Sequence, residues 1–189
     1  MRDQTLARAM LGDATLLRKA ALVLGGSFFI ALAAQVSVPF FPVPMTLQTL
    51  AILIVGLSFG SRLGAATLVA YLAEGAMGLP VFAGGMSSAS LMGPTAGFLY
   101  GFVGMAWLAG LTVERGLARG VISTAACGIV ISALVYIPGL AWPAVVMGTG
   151  AADLWAYWMA PFLIGDAVKA VIAAMVVRGG WKALSARRG

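Results

Sequence analysis

Apolar runs separated by short polar turns cover most of the chain and predict a bundle of membrane-spanning helices. The runs occupy residues 20–36, 46–59, 63–77, 95–113, 121–137 and 154–177. A hydrocarbon core of about 30 Å requires about 20 helical residues, so the second and third runs are short for a crossing. The pattern predicts an all-α fold: a single polytopic membrane domain spanning residues 1–189, with six transmembrane helices.

Nearly all basic residues fall on one side of this predicted bundle. Six spans place both termini on the same side, together with the turns that contain Arg62 and residues 114–119. Eleven of the twelve Lys and Arg residues then lie there, and the positive-inside rule makes this side cytoplasmic. We therefore expect a multi-pass protein of the cell (inner) membrane, with cytoplasmic ends at 1–19 and 178–189.

All eight prolines fall on the opposite, outer side of the predicted bundle. Proline fixes φ and removes a backbone donor, so the outer segments are expected to be stiff and non-helical. This expectation includes the segment after residue 137, which contains Pro138 and Pro143. Two interpretations stay open: the outer segments cover a cavity, or their prolines simply end the helices.

The amino-acid composition argues against several classes of function. The chain is 61% hydrophobic and 10% charged, and it contains no histidine. Histidine-based catalysis and the usual zinc and haem ligand sets are therefore missing, so we expect no enzyme activity, no metal and no cofactor. The net charge of +6 comes from basic residues that flank apolar runs, a topology signal that argues against nucleic acid as a partner.

Two opposite charges inside the last apolar run are the main candidates for chemistry. Asp166 and Lys169 are three residues apart, so a helix places both side chains on one face. Each charge costs at least about 2.5–3.5 kcal/mol within a membrane, which favours a role in handling something polar. The spacing also fits an ion pair that neutralises itself and holds the last helix in the bundle, and both interpretations stay open.

Glu74 is a second acid near the outer end of the third run. It either lines the same cavity as Asp166 and Lys169 or lies at the membrane interface. In the first case the three charged residues form a relay, as in an ion- or proton-coupled carrier for another small organic solute. That carrier is the alternative function, although the chain has no convincing internal repeat of the kind that many secondary transporters contain.

Small residues spaced by four lie along the first apolar run, beginning with Ala21 and Gly25. In a bilayer such stripes allow two helices to approach closely. The partner helix belongs either to this fold, which is the default, or to a second subunit.

Four short motifs, in this order, resemble the BioY family of biotin transporters over nearly the whole chain. The motifs are Val43-Pro-Met-Thr-Leu-Gln-Thr49, Gly78-Leu-Pro-Val-Phe-Ala-Gly84, Gly93-Pro-Thr-Ala-Gly-Phe98 followed by Leu99-Tyr-Gly-Phe102, and Gly165-Asp-Ala-Val-Lys169. The resemblance implies a substrate-binding S component of the energy-coupling-factor type, which captures biotin from outside in the outer half of a six-helix bundle. Implied partners are a transmembrane coupling subunit with two ATPases, or, without dedicated partners, a homo-oligomer.

The resemblance also implies site residues. Asp166, Lys169 and Gly93 correspond to family residues at the vitamin, and Ala21 with Gly25 corresponds to a coupling groove that is usually two alanines. A buried Asp suits the ureido N–H groups of biotin, and Lys suits its ureido carbonyl or its carboxylate. The remaining candidates on or beside the outer segments, expected around the ring of the vitamin, are Met45, Phe82, Met86, Met92 and Tyr100.

Overall fold

The computed structural model describes residues 5–11 and 15–186, and most of that chain is helical. The predicted cytoplasmic ends, 1–19 and 178–189, therefore lie partly outside the described residues. The first six helices are α1 Leu6–Leu11, α2 Leu16–Gln35, α3 Gln48–Phe59, α4 Ser61–Ala76, α5 Ala96–Glu114 and α6 Val121–Val146. The last stretch begins as α7 Ala151–Asp153, passes through π-helical Leu154–Met159 and 3-10 Ala160–Phe162, and continues as α8 Leu163–Ala186.

Helix lengths agree with membrane insertion. Four helices in the described chain are long and apolar enough to cross a bilayer: α2, α5, α6 and the continuous stretch Ala151–Ala186. Helix α3 is apolar but shorter, with 12 residues, and α4 has 16. The chain is thus a mostly helical membrane protein, as its hydropathy predicts.

Six helices pack around the bundle in the order α2, α4, α5, α6, α8 and α3. Helix α3 also contacts α2 and α5. Helix α3 is the most buried of these helices, with Ile52 and Leu53 fully buried. Glycines let the backbones approach: a Cβ at Gly56 would collide with the backbone of Ala106 on α5. In lipid, such close van der Waals packing replaces the hydrophobic effect as the force that holds helices together.

One end of the bundle gathers the α3–α4 turn, the end of α5 and the end of α8. The Glu114 carboxylate of α5 accepts hydrogen bonds from the Ser61 backbone N–H at 2.8 Å and from the Ser61 hydroxyl at 2.7 Å, and so caps the start of α4. Leu6 of α1 approaches Gly180 of α8 at the same end. The basic residues Arg62, Arg115 and Arg178 therefore share this end of the molecule.

The expectation of non-helical outer segments is wrong after residue 137, because α6 continues through Pro138 and Pro143 to Val146. Proline is tolerated within membrane helices where neighbouring helices compensate for the lost backbone bond. Here α5 packs closely on the proline-containing turn: a Cβ at Gly97 would collide with the Pro138 carbonyl, and one at Gly101 would lie 2.7 Å from the Pro138 ring. Close packing against α5 keeps the proline-containing helix in place.

Other outer segments are non-helical or only briefly helical. Strand β1 Ser37–Val38 pairs antiparallel with β2 Met45–Thr46, Ser37 opposite Thr46, in a hairpin that the sequence pattern does not predict. Between α4 and α5 lie two short 3-10 helices, Ala83–Gly85 and Ser88–Leu91. These segments lie at the end of the bundle opposite Ser61 and Glu114.

Candidate ligand-binding site

A cavity of about 260 Å³ opens between the outer hairpin, the segment between α4 and α5, and the helix ends below them. Its walls are mostly apolar and aromatic. Phe98 and Phe102 of α5 line one side, and Trp158 and Phe162 before α8 line another. The Phe98 ring packs edge-on against Tyr136, with ring centroids 5.8 Å apart. An apolar cavity with a few convergent polar groups is the usual form of a small-molecule site.

The polar groups of the cavity converge on Asp166 and Lys169 of α8. Both residues are buried, with exposed fractions of 7% and 8%, yet both line the cavity. Lys169 Nζ donates to Asp166 Oδ1 at 3.0 Å and to Thr49 Oγ1 at 3.1 Å. The Tyr136 hydroxyl donates to the other carboxylate oxygen, Oδ2, at 2.6 Å. The Thr49 hydroxyl in turn donates to Asp166 Oδ1 at 3.3 Å. The two charges thus neutralise each other, and Thr49 of α3 and Tyr136 of α6 hold the carboxylate in place.

The cluster retains capacity for a ligand. An ammonium group has three N–H donors, and the contacts to Asp166 and Thr49 use two of those of Lys169. A carboxylate offers about four acceptor sites, and the bonds from Lys169, Thr49 and Tyr136 use three of those of Asp166, so one remains for an N–H group of a ligand. The base of the cavity can therefore bind a small ligand that carries an N–H donor and an oxygen acceptor.

Several residues predicted from the sequence line this cavity with Asp166 and Lys169, namely Gly93, Phe82 and Met45. Gly93 lies where space is tight, because a Cβ there would be 3.3 Å from the Ala89 carbonyl oxygen. Of the two further methionines, Met86 lines the cavity, whereas Met92 does not and is 84% exposed.

Phe82 fits into a notch on α4. It is 2% exposed, and its ring meets Tyr71 edge-on with centroids 5.2 Å apart. The notch exists because Gly75 has no side chain, and a Cβ there would collide with the Phe82 ring. Phe82 is therefore a fixed part of the cavity wall.

Tyr100 lies outside the cavity lining, contrary to its predicted placement, and so does Glu74, for which the sequence left two placements open. The Glu74 carboxylate accepts a hydrogen bond from the Ser27 hydroxyl and so joins α4 to α2. Tyr100 follows Leu99, which does line the cavity, but successive helical residues point about 100° apart. The Tyr100 hydroxyl instead donates to the Leu91 carbonyl at 2.7 Å.

The stripe on α2 faces away from the fold. Ala21 and Gly25 are exposed, and a Cβ at Gly25 would meet nothing within 4 Å. The neighbouring Gly26 is the residue that packs inward, because a Cβ there would crowd Phe59 and Thr67. Packing of the stripe within the fold, the default expectation, is therefore wrong for these two positions.

Thr49 and Tyr136 are the members of the polar cluster that sequence reasoning missed. Thr49 ends the first of the four family motifs, which was a usable signal. Tyr136 had a weaker signal, since it precedes Asp166 by 30 positions and an aromatic residue on the outer side fits an interfacial belt as well as a ligand wall.

The fold and the site define a class: a helical membrane protein with an apolar cavity that has a buried ion pair at its base. Residues 3–186 match the sequence profile of the BioY family. The chain belongs to the BioY family, as its motifs predict.

Named relatives and a solved structure agree with this assignment. The chain is 39% identical over 166 residues to the biotin transporter BioY of Rhodobacter capsulatus, covering 80% of this chain and 86% of that protein. It is 35% identical over 169 residues to the biotin transporter BioY of Rhizobium etli, covering 84% and 90%. The crystal structure of the S-component for biotin from an ECF-type ABC transporter matches with a TM-score of 0.76 over 89% of this chain and 95% of that one, at 24% identity, and shows the fold.

Proposed function

We propose that this chain takes up biotin across the cell (inner) membrane by capturing it in the cavity above Asp166 and Lys169. The observation that carries the proposal is the buried ion pair at the base of an apolar cavity, in a member of a family whose named relatives are biotin transporters. A buried pair with open donor and acceptor capacity suits a ligand that is polar at one end and apolar beyond it.

The chemistry of biotin matches the cavity. Its ureido ring offers two N–H donors and one carbonyl, its sulfur ring is apolar, and its side chain ends in a carboxylate. The remaining acceptor site of Asp166 binds one ureido N–H group, while the remaining donor of Lys169 binds the carbonyl. The sulfur ring then packs on Phe98 and Trp158, and Met45 adapts its shape against the thioether.

The cavity opens to the outside in this proposal. It lies at the opposite end of the bundle from Arg62, Arg115 and Arg178, and the positive-inside rule makes the basic end cytoplasmic. Helices α2 to α6 and α8 are the six proposed spans, which place both termini in the cytoplasm. The short helices α3 and α4 contact α2 and α5, which shelter them from lipid.

Energy for release comes, in this proposal, from a transmembrane coupling subunit with two ATPases. The solved structure of similar fold is described as an S-component from an ECF-type ABC transporter. The open stripe of Ala21 and Gly25 on α2 gives such a subunit a surface for close helix packing. A homo-oligomer that works without these partners is the second possible assembly. The chain itself catalyses no reaction and uses no cofactor.

The geometry favours this function over an ion- or proton-coupled carrier. A relay requires Glu74 to face Asp166 and Lys169, whereas the Glu74 carboxylate lies outside the cavity lining and accepts from Ser27 on α2. Uptake that collapses with the proton gradient at constant ATP would instead favour the carrier.

Calorimetry on the purified chain tests the proposal. We expect biotin to bind the parent, and Asp166→Asn to lose about 2–5 kcal/mol of binding free energy, because the ureido N–H group loses its charged acceptor. Asp153→Asn is the matched control, since Asp153 is exposed and outside the cavity. A biotin analogue with a blocked ureido nitrogen should bind more weakly, whereas an amide at the carboxylate end should bind nearly as well as biotin. Equal binding by the parent and Asp166→Asn would contradict the proposal.

A further inference from the structure

The roof of the cavity includes a tight turn formed by residues 82–86. Phe82, Ala83 and Met86 line the cavity from this turn. The Phe82 N–H donates to the Met86 carbonyl at 3.0 Å and closes the turn, and Gly84 and Gly85 adopt φ values of 67° and 71°. Glycine suits these left-handed conformations because it has no Cβ. The turn is thus a compact unit whose position decides how open the cavity is.

One side chain from another helix holds both ends of this turn. Gln35 is the last residue of α2, and its Nε2 donates to the Phe82 carbonyl at 3.0 Å. Its Oε1 accepts from the Gly85 N–H, also at 3.0 Å. A second hydrogen bond from Nε2, to the Ala31 carbonyl at 3.1 Å, fixes the amide on its own helix. The amide therefore uses its donor side and its acceptor side on the same turn.

A second hydrogen bond, made by a buried side chain, holds the chain just before this turn. The Tyr71 hydroxyl donates to the Val81 carbonyl at 2.8 Å and accepts from Gln48 Nε2, also at 2.8 Å. Tyr71 is fully buried, whereas Gln35 is exposed. Water can replace the bonds of an exposed amide, but it cannot reach a buried hydroxyl. Of these hydrogen bonds, those made by Gln35 are the ones that can be released without disturbing the core.

We propose that Gln35 is a positioning residue that holds the turn at residues 82–86 over the cavity and sets how fast ligand enters and leaves. The inference rests on the proposed function, because the ligand is taken to be biotin. Opening the cavity at this turn requires breaking both hydrogen bonds from Gln35, so that residues 83–86 move while Tyr71 keeps Val81 in place and the notch at Gly75 keeps the Phe82 ring in place. Since Gln35 belongs to α2, a displacement of the end of α2 also displaces the roof.

Stopped-flow measurement of biotin binding to the purified chain tests this role. The variant is Gln35→Met, because methionine keeps the length of the side chain and removes both hydrogen bonds to the turn. Two bonds of ordinary strength predict dissociation about tenfold faster than in the parent, a change that corresponds to about 1.4 kcal/mol. Association should also become faster, because a loosened roof opens in both directions, so the affinity should change less than either rate. A merely structural residue would lower affinity without speeding association.

Leu32→Ala is the matched control, because Leu32 lies on the same helix, is 53% exposed and is outside the cavity lining. Its two rates should equal those of the parent. Hydrogen–deuterium exchange without ligand gives a second readout: amides in residues 79–92 should exchange faster in Gln35→Met than in Leu32→Ala. This exchange measurement still tests the role of Gln35 if the parent binds no biotin. Absence of biotin binding by the parent would contradict the proposed function but not the role of Gln35. Unchanged exchange in 79–92, or unchanged dissociation from a parent that binds, would overturn the role of Gln35.

Discussion

Replacing Lys169 with methionine leaves the Asp166 carboxylate without its charged partner inside the bundle. The two side chains are each 10% exposed and 3.0 Å apart, so water compensates little for the lost cation. Removing one partner of a buried pair costs about 3–5 kcal/mol of folding free energy. We expect Lys169→Met to destabilise the chain by that amount, whereas Lys182→Met, at an exposed lysine on the same helix, should have little effect.

The double variant Asp166→Asn with Lys169→Met separates structure from binding. It leaves no stranded charge. The amide oxygen introduced at position 166 would still accept from the Tyr136 hydroxyl. Because this charged hydrogen bond becomes a neutral one, the free energy of unfolding falls by about 1 kcal/mol. We therefore expect the double variant to be about 2–4 kcal/mol more stable than Lys169→Met alone. Biotin binding should nevertheless fall in both variants by about 2–5 kcal/mol, because neither retains the ligand-binding pair.

Denaturant titration in mixed micelles measures the stabilities, and calorimetry measures the binding. Equal stability of the single and double variants would refute the reasoning that the two charges compensate each other. Binding of biotin to the double variant at the affinity of the parent would show that the pair is only structural, which is the interpretation that the spacing of Asp166 and Lys169 leaves open.

Two further predictions concern residues outside the cavity. Glu74→Gln should leave biotin affinity unchanged in calorimetry, because the amide oxygen still accepts from Ser27 and the residue does not line the cavity; a tenfold loss would place Glu74 in the site. Gly110→Ala should destabilise the chain by about 1–3 kcal/mol, since its Cβ would collide with the Ser61 backbone. Gly104→Ala on the same helix meets nothing within 4 Å and is the control in the same denaturant titration, where equal stability of the two variants would contradict the packing argument.

Local patterns predicted the helices and the central pair, because both depend on near neighbours in the sequence. The apolar runs locate α2 to α6 and α8, since a membrane demands long apolar segments. Asp166 and Lys169 could be paired from their spacing, because i and i+3 share a helix face. The family resemblance then supplied Gly93 and the ligand, and the chemistry of that ligand suggested Phe82 and Met45 on the outer segments; all three residues line the cavity.

Contacts between distant helices could not be predicted in this way. Thr49 precedes Asp166 by 117 positions, and the hydrogen bond between them depends on how α3 packs against α8. Glu74 faces α2 because of the rotation of α4, which hydropathy does not fix. Pro138 suggested a helix end, yet close packing of Gly97 on α5 supports a continuous helix.

The position of bound biotin relative to Asp166 decides whether the buried pair binds the ligand. A crystal structure of the full chain with biotin bound measures it. We expect a ureido nitrogen within about 2.7–3.2 Å of a carboxylate oxygen of Asp166, with the sulfur ring against Phe98 and Trp158. Biotin bound elsewhere, with the cavity empty and the contacts of Asp166 unchanged, would contradict this expectation.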